Sequence, residues 1–245
     1  MAEILSVLFE DPWLIAIQKP PGISVHCSRE YDRHGVDLRE LLKQQLGETV
    51  FPVHRLDRAT SGVLLFARDT ETAGRMGDLF RSRQIAKTYR AVVRGFLNPS
   101  GDIDIALPRA GRRRRPVRSR LTTEEVLLPS CTRYRTLERF ELPWRSDRYP
   151  TSRVSLLELH PLTGRWHQIR RHLNRIAHPI LGDTSHGDNT QNRFFRGQFG
   201  LPRLMLTATE LVFVHPCTQQ TVHLQAAPDH SFLSLVTQLM PFRMS

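Results

Sequence analysis

The chain has 245 residues, with 35 Lys plus Arg against 24 Asp plus Glu, which gives a formal net charge of +11 at pH 7. Hydrophobic residues make up 40% of the chain, which is enough for a buried core and excludes a disordered tail or a fibre. The positive excess indicates a polyanionic partner, most simply a nucleic acid. No apolar run approaches the roughly 18 residues of a membrane helix, and the acidic first segment is unlike a secretory signal. We therefore expect a cytoplasmic protein that binds no membrane.

Metal and redox chemistry find little support in the sequence. The three cysteines, Cys27, Cys131 and Cys217, are odd in number and far apart, which predicts free thiols. His167 and His172 are five residues apart, a spacing that does not place two ligands on one helical face. There is no HExxH motif, no glycine-rich phosphate loop and no GxSxG nucleophile elbow. We expect neither a metal nor a cofactor.

Hydrophobic periodicity and turn signals predict the elements in chain order. Strands are expected over 4–9, 13–18, 62–67, 86–95, 154–160, 204–214 and 221–224, and helices over 37–46, 69–83, 163–176 and 231–240. Strands and helices mix without a regular βαβ rhythm, which predicts an α+β fold with a mixed, largely antiparallel sheet. We expect one catalytic domain over residues 1–245, with two lobes about one cleft. The segment 109–120 holds seven arginines in twelve positions and predicts a mobile basic loop.

The first candidate site is the motif HRLDRATSG at 54–62. Its single carboxylate, Asp57, lies among His54, Arg55 and Arg58, and neighbouring positive charge favours the ionised form. An ionised aspartate at a loop–strand junction can act as a nucleophile or a general base. The alternative is a surface turn in which Asp57 caps backbone amides and pairs with arginine.

The second candidate is TGRWHQIRRHLNRI at 163–176. Wound as a helix, it places Trp166, Ile169, Leu173 and Ile176 on one apolar stripe, with Arg170 at the edge of that stripe. Gln168, Arg171 and Arg175 are expected to face outward. An unpaired charge near the interior costs several kcal/mol, so Arg170 needs an acidic partner. The alternative for Arg170 is a purely structural ion pair.

The third candidate is KTYRAVVRG at 87–95. Its alternation predicts a half-buried strand with Tyr89 on the inward face and cations, including Lys87, beside it. A tyrosine ring there could stack on a nucleobase, and the alternative is an ordinary core tyrosine.

Together these three blocks resemble the RluA-type pseudouridine synthases. The motifs KPPG at 19–22, AHPILGD at 177–183 and RLML at 203–206 fit the same family in the same order, over about residues 3–226. The stretches 148–153 and 186–206 resemble the tRNA-modifying branch of that family, and the chain shows no RNA-binding S4 module before the catalytic part. Two positions depart from the family pattern: Thr207 replaces a usual histidine, and Trp166 replaces a small or polar residue.

The resemblance implies a pseudouridine synthase fold with a basic central cleft flanked by helices. It implies that Asp57 is the catalytic aspartate, Tyr89 the active-site tyrosine and Arg170 the arginine that pairs with the aspartate. Arg55 is expected to occupy the space left by the extruded base. The residues expected to contact RNA are Arg55, His54, Arg58, Lys87, Arg165, His167 and Arg171.

The function implied by the resemblance is isomerisation of one uridine in tRNA, at position 65 in the acceptor and T-stem region, by a monomer without a cofactor. Three alternatives stay open. The first is a synthase of the same family acting on ribosomal RNA, which shares all three blocks. The second is a nucleoside N-glycosylase, which would release free base, and the third is a non-catalytic RNA-binding protein.

Overall fold

A computed structural model describes residues 4–25, 37–109, 126–146 and 149–244. The strands in this part of the chain are β1 (Val7–Glu10), β2 (Leu14–Lys19), β3 (Phe51–Pro52), β4 (Ser61–Ala67), β5 (Ala86–Arg94), β6 (Ser100–Asp104), β7 (Leu107–Pro108), β8 (Leu127–Leu128), β9 (Cys131–Leu142), β10 (Ser152–Pro161), β11 (Leu206–Val214) and β12 (Thr221–Gln225). The helices are α1 (Leu38–Leu46), α2 (Thr70–Arg81), α3 (Gln168–Arg175), α4 (Asn189–Phe199) and α5 (His230–Leu239), followed by a 3₁₀ turn over Met240–Phe242. Cys27 and nearly all of the predicted basic loop at 109–120 lie outside the described residues.

The architecture is one large, mixed sheet with helices packed on it. The strand order is β1-β2-β4-β11-β5-β10-β9-β6, with β3 added to β4 and β12 added to β11. Among the described strand pairs of this sheet, β4 with β11 is parallel and the others are antiparallel. The predicted α+β class with a largely antiparallel sheet is confirmed.

The two central strands β4 and β5 are covered on both faces. All seven residues of β4 are buried, because one apolar cluster, which includes Leu38 and Leu42 of α1, packs on one face and a second, with Met76 of α2, on the other. In β5, coverage on both faces is limited to three consecutive residues, Ala91–Val93, which are fully buried. The other residues of β5 are exposed or partly buried, as a half-buried strand predicts.

Helices α1 and α2 lie where the sequence predicts them, with ends that differ from the prediction by one or two residues. The side chain of Asp37 caps α1 by accepting from the amide of Arg39, and Gly47 ends it at a φ of 76°, where a side chain would be strained. Asp69 caps α2 through the amide of Thr72, and α2 ends at Arg81 rather than at 83.

The C-terminal half departs more from the prediction. Helix α3 begins at Gln168 because His167 adopts a left-handed φ of 50°, so Trp166 lies outside the helix and is 48% exposed instead of joining the apolar stripe. Gln168, expected to face outward, is buried. The prediction also missed β6, β9 and α4.

The central strands approach each other closely at Gly62. This residue has a φ of +113°, and a Cβ atom placed on it would lie 1.9 Å from the carbonyl oxygen of Ala208 in β11. Glycine is therefore required where β4 starts beside β11. The contact fixes the strand that directly follows the Asp57 motif.

None of the helices in the described ranges is long and apolar enough to span a membrane.

Candidate active site

A cavity of about 620 Å³ opens over the central strands. The described residues that line it include one carboxylate, Asp57, and six cations: Arg55, Arg81, Arg83, Lys87, Arg165 and Arg170. A second cavity of about 420 Å³ adjoins the first, and Asp57, Arg55 and Arg170 line both. A concave, strongly positive site with one acid in it suits a polyanionic substrate.

Asp57 is held in place by its loop, which joins β3 to β4. The fully buried Lys19 donates from Nζ to the carbonyl oxygens of Pro20, Arg58 and Thr60, at 2.8, 3.1 and 2.9 Å. The amide of Gly22 donates to the Arg58 carbonyl at 2.8 Å, and Arg58 Nε returns a bond of 2.8 Å to the Gly22 carbonyl. Burial lowers the pKa of Lys19 to about 7. The KPPG segment thus anchors the loop directly after Asp57, at Arg58 and Thr60.

Arg170 bridges two carboxylates. Its Nη1 donates to Oδ2 of Asp57 at 3.0 Å, while Nε and Nη2 form a bidentate pair with Asp183 at 2.7 and 2.8 Å. Arg170 and Asp183 are buried, and the Asp57 side chain is 23% exposed. Burial alone would raise the pKa of Asp183, but the hydrogen bonds from Arg170 help to hold this pKa below its usual value. The sequence predicts one acidic partner for Arg170, and the structure places two beside it, Asp57 and Asp183.

Tyr89 lies on β5 opposite Ala208 of β11 and lines the same cavity as Asp57. It packs against the apolar clusters on both sides of the central strands. Burial raises the pKa of its phenol, and the Asp57 charge adds to the effect. The side chain is therefore a neutral phenol with a fixed ring at physiological pH.

A pair of histidines lies beside the acid. Nε2 of His167 is 3.6 Å from Oδ1 of Asp57, and Nδ1 of His167 is 2.9 Å from Nε2 of His186. The Trp166 ring stacks on His167 with a centroid distance of 3.7 Å. Burial lowers the pKa of His167 to about 4, so this imidazole is neutral at pH 7.

The residues expected to contact RNA divide into three groups. Arg55, His54, Lys87, Arg165 and His167 line the larger cavity. Arg58 lines the smaller one. Arg171 lines neither and donates to the Pro108 carbonyl.

His54 is the least suited of these residues to bind a phosphate. Its Nε2 accepts a hydrogen bond of 3.1 Å from the amide of Leu65, and its ring stacks on Phe80. Burial lowers its pKa to about 3, so the ring carries no charge at neutral pH. RNA contact by the seven side chains is a prediction from the sequence, and for His54 its hydrogen bond and stacking partner favour a role in the fold instead.

The two departures from the family pattern occupy different environments. Thr207 is fully buried, and its hydroxyl donates to the Ser61 carbonyl at 3.4 Å. It therefore helps to join β11 to β4. Trp166 lies at the mouth of the cavity with a partly exposed ring.

Sequence reasoning missed Asp183, His186 and the anchoring function of Lys19. Asp183 lies in the AHPILGD block and Lys19 in KPPG, so the resemblance alone marked both segments as important. No local pattern signals that Asp183 lies 13 residues beyond its partner Arg170 and faces it.

Among the described residues, no cluster of three or more His, Cys, Asp or Glu side chains could hold a metal ion.

Comparison with known proteins assigns the class. Residues 13–175 match the family model described as RNA pseudouridylate synthase. The chain therefore belongs to this family and is a pseudouridine synthase of the RluA type, an isomerase.

Particular relatives agree with this class. The chain is 41% identical to tRNA pseudouridine synthase C of Vibrio vulnificus over 228 residues, covering 92% of this chain and 91% of the relative. It is 42% identical to the protein of the same name from Pasteurella multocida over 233 residues, covering 95% of each. Its fold is similar to human RNA Pseudouridylate Synthase Domain Containing 1, with a TM-score of 0.70, 27% identity and coverage of 94% and 85%. Human RNA Pseudouridylate Synthase Domain Containing 4 gives a TM-score of 0.72, 25% identity and coverage of 98% and 94%.

Proposed function

We propose that this protein is a cytoplasmic tRNA pseudouridine synthase that isomerises uridine 65 with Asp57 as the reacting carboxylate. The observation that carries the proposal is the Asp57–Arg170 contact of 3.0 Å in a cavity lined by six cations. The names of the bacterial relatives support tRNA as the substrate. The resemblance of stretches 148–153 and 186–206 to the tRNA-modifying branch supports it independently.

Access to the uridine requires that the base leave its stack. Extrusion of a base costs a few kcal/mol. Arg55, exposed at the junction of the two cavities, is the side chain proposed to fill the space that the base leaves. The surrounding cations contact phosphates on either side, so binding is expected to weaken steeply with salt.

The reaction begins at Asp57. Its Oδ2 is engaged by Arg170, and Oδ1 faces the cavity side occupied by His167. The carboxylate either attacks C1′ of the ribose or removes a proton from C2′, and the C1′–N1 bond breaks in both cases. The detached uracil turns over and C5 bonds to C1′. In the first route this displaces the Asp57 carboxylate from C1′; in the second, Asp57 returns the proton to C2′. C5 then loses its proton to solvent and N1 takes one up, so the product is an isomer of the substrate and no other reactant is consumed.

Tyr89 and Arg170 support these steps differently. The partly buried, neutral Tyr89 supplies a flat ring against which the uracil is held while it turns. Arg170 orients Asp57 through its hydrogen bond to Oδ2: two unit charges 4 Å apart attract each other by about 4 kcal/mol at an effective dielectric of about 20, which is a ceiling before desolvation. Exclusion of water prevents its addition to C1′, which would end the reaction in hydrolysis of the glycosidic bond.

The proposal is tested by incubating the purified protein with unmodified tRNA transcripts and with ribosomal RNA, then mapping pseudouridine by carbodiimide-adduct primer extension. We expect a single pseudouridine at position 65 of tRNA, and none in a transcript with cytidine there. Modification of ribosomal RNA alone would favour the other branch of the family. Release of free uracil would indicate a glycosylase, and binding without any product would indicate a non-catalytic protein.

A further inference from the structure

The two histidines beside Asp57 are tied to the same framework as Arg170. The amide of His186 donates to Oδ1 of Asp183 at 2.9 Å, and its carbonyl accepts from Nδ2 of Asn174 at 2.7 Å. Asp183 therefore fixes both Arg170 and the loop that carries His186. On the other side, the stacked Trp166 ring limits rotation of the His167 imidazole.

The arrangement of nitrogens selects one tautomer of His167. Because burial lowers the pKa of both imidazoles, each ring is neutral and carries one N–H. The 2.9 Å contact between Nδ1 of His167 and Nε2 of His186 places one hydrogen between the two rings. If that hydrogen were on His167, its bare Nε2 would face the negative Oδ1 of Asp57 at 3.6 Å. The repulsion disfavours this state, so His186 is the donor and His167 keeps its hydrogen on Nε2.

We propose that His186 is a positioning residue that fixes the tautomer and orientation of His167, so that the His167 Nε2–H holds Oδ1 of Asp57 while Arg170 holds Oδ2. The inference rests on the proposed catalytic function of Asp57. The separation of 3.6 Å is longer than a hydrogen bond, so the Nε2–H acts on Oδ1 as a directed dipole, whereas Arg170 donates a hydrogen bond to Oδ2. Both groups direct positive charge at the carboxylate and fix its orientation.

The position of His186 adds to this interpretation. It begins the stretch 186–206, which the sequence associates with the tRNA-modifying branch and which otherwise lacks a chemical function. The pair connects that stretch to the reacting carboxylate through one intervening side chain, His167. A merely structural pairing of two rings would not require an N–H directed at Asp57.

The test compares His186→Leu with His186→Gln in the full-length protein. The amide nitrogen of glutamine reaches the position of Nε2 and can donate to His167, whereas leucine cannot. We expect His186→Leu to lower kcat for pseudouridine formation about 10- to 100-fold with KM for tRNA within about twofold, and His186→Gln to keep most of kcat. Thermal unfolding of both variants checks that the fold is retained.

A second measurement needs no variant. The ¹⁵N shifts of the His167 ring in the wild-type protein report its tautomer, and we expect hydrogen on Nε2. Hydrogen on Nδ1, wild-type kcat in His186→Leu, or an equal loss in both variants would overturn the inference. These outcomes are separate from failure of the proposed function, in which the wild-type protein itself would form no pseudouridine in tRNA.

Discussion

Arg170 and Asp183 form a buried bidentate ion pair that leaves one guanidinium nitrogen, Nη1, for Asp57. The planar fork of arginine matches the two oxygens of Asp183, so the direction of the third nitrogen is fixed. Asp183 thus determines where Arg170 meets Asp57, although it donates nothing to the reaction itself.

We expect Asp183→Asn to lower kcat about 10- to 100-fold and the free energy of unfolding by about 1–3 kcal/mol, because the buried Arg170 loses its bidentate partner and keeps only Asp57 as a charged partner. Urea unfolding and steady-state kinetics measure the two effects. Asp102→Asn is the matched control, since its pair with Arg133 is exposed to solvent and is expected to contribute little to stability. Equal effects of the two substitutions would show that Asp183 has no special position.

Lys19 anchors the Asp57 loop through two of its backbone carbonyls, those of Arg58 and Thr60. We expect Lys19→Met to lower the free energy of unfolding by about 1–3 kcal/mol, since those carbonyls lose their donor, and to lower kcat because Asp57 is less firmly placed. Lys43→Met, at an exposed position of α1, is the control and is expected to change stability by less than about 0.5 kcal/mol. An unchanged kcat in Lys19→Met would show that anchoring of the loop by Lys19 does not contribute to catalysis.

His54 links stability to pH. Its pKa is about 3 in the folded protein and about 6.5 when unfolded, so between these values the unfolded chain binds a proton that the folded chain does not. Stability therefore falls as the pH falls through this window, by up to about 1.4 kcal/mol per unit. His54→Gln keeps an acceptor for the Leu65 amide without titrating, and urea unfolding at pH 6.5 and 4.5 should show a smaller loss.

His230→Gln, which changes an exposed histidine, is the control for this experiment and should leave the acid-induced loss as in the wild type. An identical pH dependence in His54→Gln and the wild type would rule out His54 as a source of the effect. Because we assign His54 to the fold, tRNA affinity in His54→Gln should stay near the wild-type value.

The arginine tract at 112–115 is expected to contact phosphates. Replacing these four residues with alanine should weaken tRNA binding and make the slope of log K against log salt shallower, by up to about 0.7–0.9 per lost phosphate contact. Filter binding over a range of salt concentrations measures the slope. Arg133→Ala, at the far edge of the sheet, serves as a control, and an unchanged slope in the tract variant would mean that the tract does not touch RNA.

The sequence predicts those elements whose position is set by neighbouring residues, and it does not predict contacts between distant residues. Caps and periodicity placed α1 and α2, because Asp37, Gly47 and Asp69 act on their own neighbours. The helical wheel also showed that Arg170 needs an acid. It did not reveal Asp183, whose contact is set by tertiary structure.

Tertiary structure also explains the errors around α3. The left-handed His167 delays the start of the helix, which removes Trp166 from the apolar stripe. Gln168 is buried because its amide donates to Thr132 and to the Cys131 carbonyl of β9, a strand whose charged, alternating sequence was not recognised. A polar residue with such hydrogen-bond partners can be buried at little cost in free energy. A helical wheel cannot predict this, because it assigns polar residues to the exposed face.

The most direct test of the account is Asp57→Asn, assayed for tRNA binding and for pseudouridine formation in the same preparation. Asparagine keeps the size of the side chain but removes its charge. We predict a loss of turnover of about a thousandfold or more, with the dissociation constant for tRNA changed by no more than about threefold. Turnover near the wild-type rate would contradict the assignment of Asp57 as the reacting carboxylate.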